Sequence, residues 1–334
     1  MTIDVIGCLS IILMSCDLSE TVVPDTDSSK SSTIQEDSAD YIWNESDVIP
    51  ITLTDKASAI AGTGASISGN VITITQPGTY SLTGMLSNGQ VIVNSNDSGL
   101  VRLLLKGVNI TTATSAPVYI KKATKVIIVL TDHSKNYLTD GSSYVYDNAT
   151  EEEPNATLFS KENLTIYGNG ALTVTGKFND GISSKDGLII RGGTLNVTAA
   201  DDGIRGKDYL YTAGSDITVN SVGDGLKSNK EDDSARGYVI IDSGTFNITS
   251  GSNGISAKTN LTINGGTFNI TSGKGSNYTI SSGASAKGLK GLTSLTIKNG
   301  TFNINSADDC LHSNGSLSIA NGSMTVTMPI IGVT

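Results

Sequence analysis

The 334-residue chain has little of what defines several protein classes. Three cysteines and two histidines are too few for a disulfide scaffold or a Cys/His metal cage. One tryptophan and an aromatic content of 5% leave little material for a flat platform on which sugar rings could stack. Basic residues are also scarce, 22 Lys and Arg against 32 Asp and Glu for a net charge of −10. Without a clustered Lys/Arg face, nucleic acid is excluded as a partner. No run approaches the ~18 apolar residues of an internal membrane helix. There is no Gly-x-Ser-x-Gly elbow and no phosphate-binding P-loop. The 37 glycines follow no Gly-X-Y period, and proline is too sparse for a Pro/Gly-rich disordered chain. What remains is glycine set regularly in a Thr/Asn/Ile/Val background, which points to internal repeats.

The first fifty residues differ from the rest. An apolar stretch, Val5 to Met14, runs into Leu13-Met14-Ser15-Cys16, the shape of a bacterial lipoprotein cleavage site, although Asp4 stands where a signal carries Lys or Arg. The expectation is a signal peptide over 1–16, lipidation at Cys16, and membrane contact through that anchor alone. Residues 17–49 are rich in Ser, Thr, Asp and Glu and cannot bury enough surface to fold, so they read as a disordered tether. The folded domain is expected over 50–334, with irregular coils at 50–155 and regular repeats at 156–327. An extracellular or cell-surface location follows.

The repeat is 22 residues long. Asp180-Gly181-Ile182 recurs as Asp202-Gly203-Ile204 and Asp224-Gly225-Leu226, then with insertions as Asn253-Gly254-Ile255, Lys287-Gly288-Leu289 and Asp309-Cys310-Leu311. A second motif keeps step: Gly193-Thr194-Leu195-Asn196-Val197, then Gly-Thr-Phe-Asn-Ile beginning at Gly244, Gly266 and Gly300. A third short apolar run, such as Leu188-Ile189-Ile190, lies between them. Three strands and three turns per 22 residues is one coil of an all-β, parallel β-helix, each coil resting on the last at ~4.8 Å. Strand alternation sends Leu195, Phe246, Phe268 and Phe302 inward and Asn196, Asn247, Asn269 and Asn303 outward.

Residues one repeat apart become neighbours, so like charges stack. Asn179, Asp180, Asp201, Asp202 and Asp224 form one acidic ladder; Glu162, Asp186 and Asp208 form a second; Lys161, Lys185 and Lys207 lie between them. Carboxylates ~5 Å apart repel by ~3 kcal/mol at an effective dielectric of 20. The repulsion is relieved by the lysines or by a cation. Calcium suits such a ladder, because it takes six to eight oxygens from carboxylates, Asn side chains and turn carbonyls. The expected metal-ligating set is therefore Asp180, Asp201, Asp202, Asp224, Asn179, Asp186 and Asp208.

These strings carry a resemblance. FNDGISSKDGLIIRGGTLNVTAADDGIRGKDYL, GDGLKSN and NGISAKTNLTINGGTFNIT, with GTYSLTGMLSNGQVIV and VYIKKATKVIIVL upstream, resemble the bacterial carbohydrate-binding proteins built as a right-handed parallel β-helix, similar in fold to family 9 polysaccharide lyases. The likeness spans roughly residues 50 to 327. It implies a surface protein that binds calcium and cellulose or pectin-like polyuronate, with Asp180, Asp201, Asp202 and Asp224 as ligands. The chain departs from the family pattern at Lys287 and Cys310.

Three functions are compatible with these residues: a non-catalytic polysaccharide-binding module, a calcium-dependent polyuronate lyase with Lys185 or Lys207 as base, and a spacer or adhesin without a sugar ligand.

Overall fold

The computed structural model describes residues 34–146, 148 and 150–327, and the backbone of residues 2–3. The expected cleavage site, Cys16 and the first part of the tether lie outside these residues. The chain winds into a parallel β-helix whose three short strands per coil stack into three ladders. Among the described residues the first ladder has eleven strands, from Ala65–Ser68 through Gln90–Asn94, Ala156–Ser160, Asp180–Ser184 and Ile204–Gly206 to Leu311–His312. At one coil per ~4.8 Å it is about 50 Å long. The second ladder includes Lys125–Leu130, Leu164–Gly168, Gly187–Arg191, Tyr209–Ala213 and Tyr238–Ile241. The third includes Thr194–Ala199, Ser215–Ser221, Gly244–Ser250, Thr267–Ser272 and Thr301–Ser306. In the upper coils, one long strand, Leu100–Thr111, serves both the second and third ladders. At the N-terminal end, Ala65–Ser68 pairs antiparallel with Val71–Ile74 and Ala59–Ile60 with Ile51 and Thr52. These pairings cover edges that would otherwise recruit another chain.

The register matches the repeat. Ile217, Phe246, Phe268 and Phe302 stand opposite one another on successive strands. The three phenylalanine rings stack with centroids 4.8 Å apart and planes within 5°, so dispersion contacts run unbroken down the core. Asn247, Asn269 and Asn303 point out from the same strands and are exposed.

Glycine does two different jobs in each coil. Gly244, Gly266, Gly300 and Gly322 have φ between 123° and 141° and make the turn from the second ladder to the third. Gly181, Gly203, Gly225, Gly254 and Gly288 follow the ladder Asp, Asn or Lys and do not have positive φ. A Cβ on any of them would overlap the inward Val or Ile of the third ladder and the carbonyl at the same place in the next coil, a glycine's in the first four and that of Cys310 for Gly288. Asp-Gly pairs commonly serve tight turns, but here the glycine is kept because two coils approach too closely for a side chain.

Ordered structure begins upstream of residue 50. Residues 34–47, placed by composition inside the disordered tether, pack along the outside of the second ladder. Two short 3-10 turns, Ser38–Tyr41 and Glu45–Asp47, are capped by Asp37 and Asn44. Ile34 packs on Tyr209, Tyr211 and Tyr238, Tyr41 lies 4.5 Å from the Tyr167 ring, and Trp43 and Val48 cover Leu104, Ile127 and Val129. Glu36 receives two hydrogen bonds from Arg191, at 2.6 and 2.8 Å, and Lys125 pairs with Asp40. A few apolar anchors in a polar segment suffice because the apolar surface beneath them already exists.

Candidate functional site

The acidic ladder runs down the corner where the third ladder turns into the first. Asp180, Asp202 and Asp224 are buried there, at 0%, 2% and 5% exposure. Their burial is explained by a repeated bond between coils. The Asp202 N–H donates to Asp180 Oδ1 (3.2 Å), the Asp224 N–H to Asp202 Oδ1 (2.8 Å), and the Asn253 N–H to Asp224 Oδ1 (2.9 Å). The Lys287 N–H continues the series to Asn253 Oδ1 at 3.0 Å. Each ladder side chain thus satisfies a backbone donor of the next coil, which no apolar residue could do.

The second carboxylate oxygen of each Asp is left to meet a cation. Arg205 Nη2 lies 2.9 Å from Asp180 Oδ2, but its hydrogen bonds go to Ser183 Oγ, and Asp180 Oδ2 receives none. Lys227 bridges Asp202 and Asp224 at 2.9 and 3.0 Å. Further down, Lys287 occupies the ladder position itself and pairs with Asp308 and Asp309 at 2.9 and 2.7 Å. The lower double acid therefore has a built-in ammonium.

Oxygens of Asp180, Asp201 and Asp202 lie within 4.8 Å of one another, with Asp201 exposed and the other two buried. Burial pushes the Asp180 carboxyl up to about 7, against the opposing effect of Arg205 and with a further upward push from Asp202 and Asp201. Burial also raises Asp202, partly countered by Lys227. Two more observations fit an ion here. A Cβ at Gly223 would overlap the Oδ1 atoms of Asp201 and Asp202, so glycine keeps that space open. Asn155 Oδ1, one coil above Asn179 on the same corner, is buried without a hydrogen-bond donor, while Asn179 donates its own amide to the Asn155 carbonyl at 3.1 Å. The donor set is all oxygen, as a hard cation requires.

The other expected ligands stand apart from this trio. Asp224 is engaged by Lys227, the Asn253 backbone and the Asn253 amide. Asp186 and Asp208 sit at the opposite corner of the first ladder, where Asp208 pairs with Arg236 and, at 3.9 Å, with Lys230. Burial raises Asp186, with Asp208 adding to the effect. Lys161 and Lys185 both pair with Glu153, and among the described residues Lys207 forms no ion pair. Sequence reasoning missed Arg205 and Lys227 as the counter-ions of the buried aspartates. The available signal was their place in the strand, one residue past an inward Ile or Leu, which turns them outward beside the ladder. Cys310 is buried, 1% exposed, and burial pushes its thiol up to about 11, so it packs as a small apolar residue.

Comparison with known sequences and structures places this parallel β-helix in a family. The profile of the carbohydrate-binding domain-containing proteins matches residues 68–329, and the chain belongs to that family. A carbohydrate-binding domain-containing protein of Acetivibrio thermocellus is 42% identical over 145 residues, covering 43% of this chain and 51% of the relative. The matched region thus spans about half the length of that protein. Among solved structures, the polysaccharide lyase-like protein from C. thermocellum, in its gadolinium derivative, superposes with a TM-score of 0.68 at 29% identity, over 82% of this chain and 98% of that one.

Proposed function

We propose that the protein is a non-catalytic, calcium-binding polysaccharide-binding protein of the bacterial cell surface, tethered through a lipid on Cys16. Family membership supports carbohydrate binding. The calcium reading rests on the carboxylates of Asp180, Asp201 and Asp202, whose oxygens lie within 4.8 Å of one another, and on Asp180 Oδ2, which receives no hydrogen bond although Arg205 lies 2.9 Å from it. Calcium at that corner would screen the acidic ladder and, by bridging, offer positive charge to a uronate carboxylate that a −10 chain otherwise repels. The test is thermal unfolding with calcium or with EDTA. Calcium at a hundredfold excess over its Kd adds about 2.7 kcal/mol, so chelation should lower Tm by several degrees. Asp201→Asn should remove most of that difference. A Tm indifferent to EDTA would overturn the calcium reading, and absence of retention on any insoluble glycan would overturn the binding function.

The lyase-like structural neighbour supports a second reading, polyuronate cleavage with Lys207 as base. Ultraviolet absorbance of unsaturated uronate, formed from polygalacturonate with calcium and lost in Lys207→Ala, would establish it in place of binding alone.

A further inference from the structure

The outer surface of the third ladder carries a second feature with different chemistry. From coil to coil, Asn247, Asn269 and Asn303 stand in one row and Thr249, Thr271 and Asn305 in the next. Together they line a shallow trough of about 540 Å³ in which no side chain is ionisable. The apolar residues beside it, Val219, Ile248 and Ile270, are buried, at 1%, 2% and 2% exposure. Asn269 donates its amide to Asn247 Oδ1 at 3.0 Å, which orients the row and leaves both amide hydrogens of Asn247 and the carbonyl oxygen of Asn269 free for a ligand. Asn305, which lines the trough, is held by the insertion that follows Ser272: the Ser276 N–H donates to Asn305 Oδ1 at 2.8 Å.

We infer that this trough docks an uncharged polysaccharide, its chain laid along the rod axis. The inference rests on the carbohydrate-binding reading above and assigns it a face. Three observations carry it. The trough is neutral on a chain of net charge −10, so an uncharged chain meets no repulsion there, whereas a polyuronate gains nothing. Its exposed groups are amides and hydroxyls, which match sugar hydroxyls as donors and acceptors, and it lacks the apolar core a protein partner would bury. The groups repeat once per coil, at ~4.8 Å, a spacing comparable to one hexosyl unit, so one contact pattern can recur along a polymer. The trough contains none of Asp180, Asp201 and Asp202, and binding in it is independent of calcium.

The test is retention of the purified full chain on cellulose powder and on insoluble polygalacturonate, each with calcium and with EDTA. The wild type is compared with Asn247→Ala/Asn269→Ala and with a control, Thr262→Ala/Thr296→Ala, on the outer row of the second ladder. Loss of two or more net hydrogen bonds per chain should weaken cellulose binding by roughly tenfold or more, equally with calcium or EDTA, and the control should bind as wild type. Wild-type retention on cellulose by the Asn double variant, retention on polygalacturonate alone, or loss of cellulose binding in EDTA would each overturn the inference while leaving the proposed function standing. No retention of the wild type on either glycan would overturn the inference, and no retention on any insoluble glycan would overturn the proposed function with it. Circular dichroism and Tm of each variant separate lost binding from lost folding.

Discussion

The outer faces of the second and third ladders are built on the same coils and answer to water in opposite ways. On the second, the outward row reads Ile127, Thr165, Ile189, Tyr211, Ile240 and then Thr262 and Thr296. Its apolar upper half is covered by residues 34–47, and its polar lower half is not. On the third, Asn and Thr alternate with buried core residues, and the face needs no cover. The difference shows that the coil specifies only what lies inside. Whether a face stays open is decided by which residues its outward positions carry and by whether another segment can reach them.

The largest test of that contrast removes the cover. Deleting residues 34–47 exposes Ile127, Ile189 and the Tyr209–Tyr211–Tyr238 surface, and should cost on the order of 5 kcal/mol, read as a lower Tm together with new binding of a hydrophobic dye. A deletion variant as stable and as dye-free as wild type would break the comparison. Next in size, Gly203→Ala forces a methyl into Val219 and the Gly225 carbonyl and should cost about 3 kcal/mol in urea unfolding; a neutral result would return this glycine to an ordinary turn role. On the open face, Asn247→Val should change stability by less than ~0.5 kcal/mol, because the position is exposed and valine suits a strand. A large loss would mean that the Asn row is structural. Smallest of all, alkylation of Cys310 should leave Tm unmoved at pH 8, because it hardly occurs. With its thiol pushed up to about 11 by burial, the thiolate fraction and the labelling rate rise only as pH approaches that value. Mass mapping of the Cys310 peptide across pH 7 to 10 follows this, and rapid labelling at neutral pH would contradict it.

Much of the molecule was legible in the chain. The 22-residue step, the inward phenylalanines, the outward asparagines and the stacking of aspartates all follow from strand alternation and from identical residues falling on adjacent coils. The ordered segment at 34–47 was not legible, because its composition is that of a tether and its few apolar anchors matter only once the second ladder offers them a surface. Nor were the counter-ions. The lysines beside the acidic ladder in sequence, Lys161 and Lys185, turn to Glu153, whereas Arg205 and Lys227, outward on the strand, meet the aspartates.

The sequence by itself determined the repeat, and with it the parallel coil, its core and its ladders, because a period in residues becomes a stack in space whenever each coil must pair its backbone with the next. Only the tertiary structure decided what each ladder does. It showed that the Asp-Gly glycine gives room between coils, and that each buried aspartate holds the backbone N–H of its neighbour with one oxygen and offers the other to a cation. It also showed that three carboxylates, of seven expected ligands, come within 4.8 Å of one another. Those outcomes depend on distances between coils and on side-chain directions, which a period does not contain.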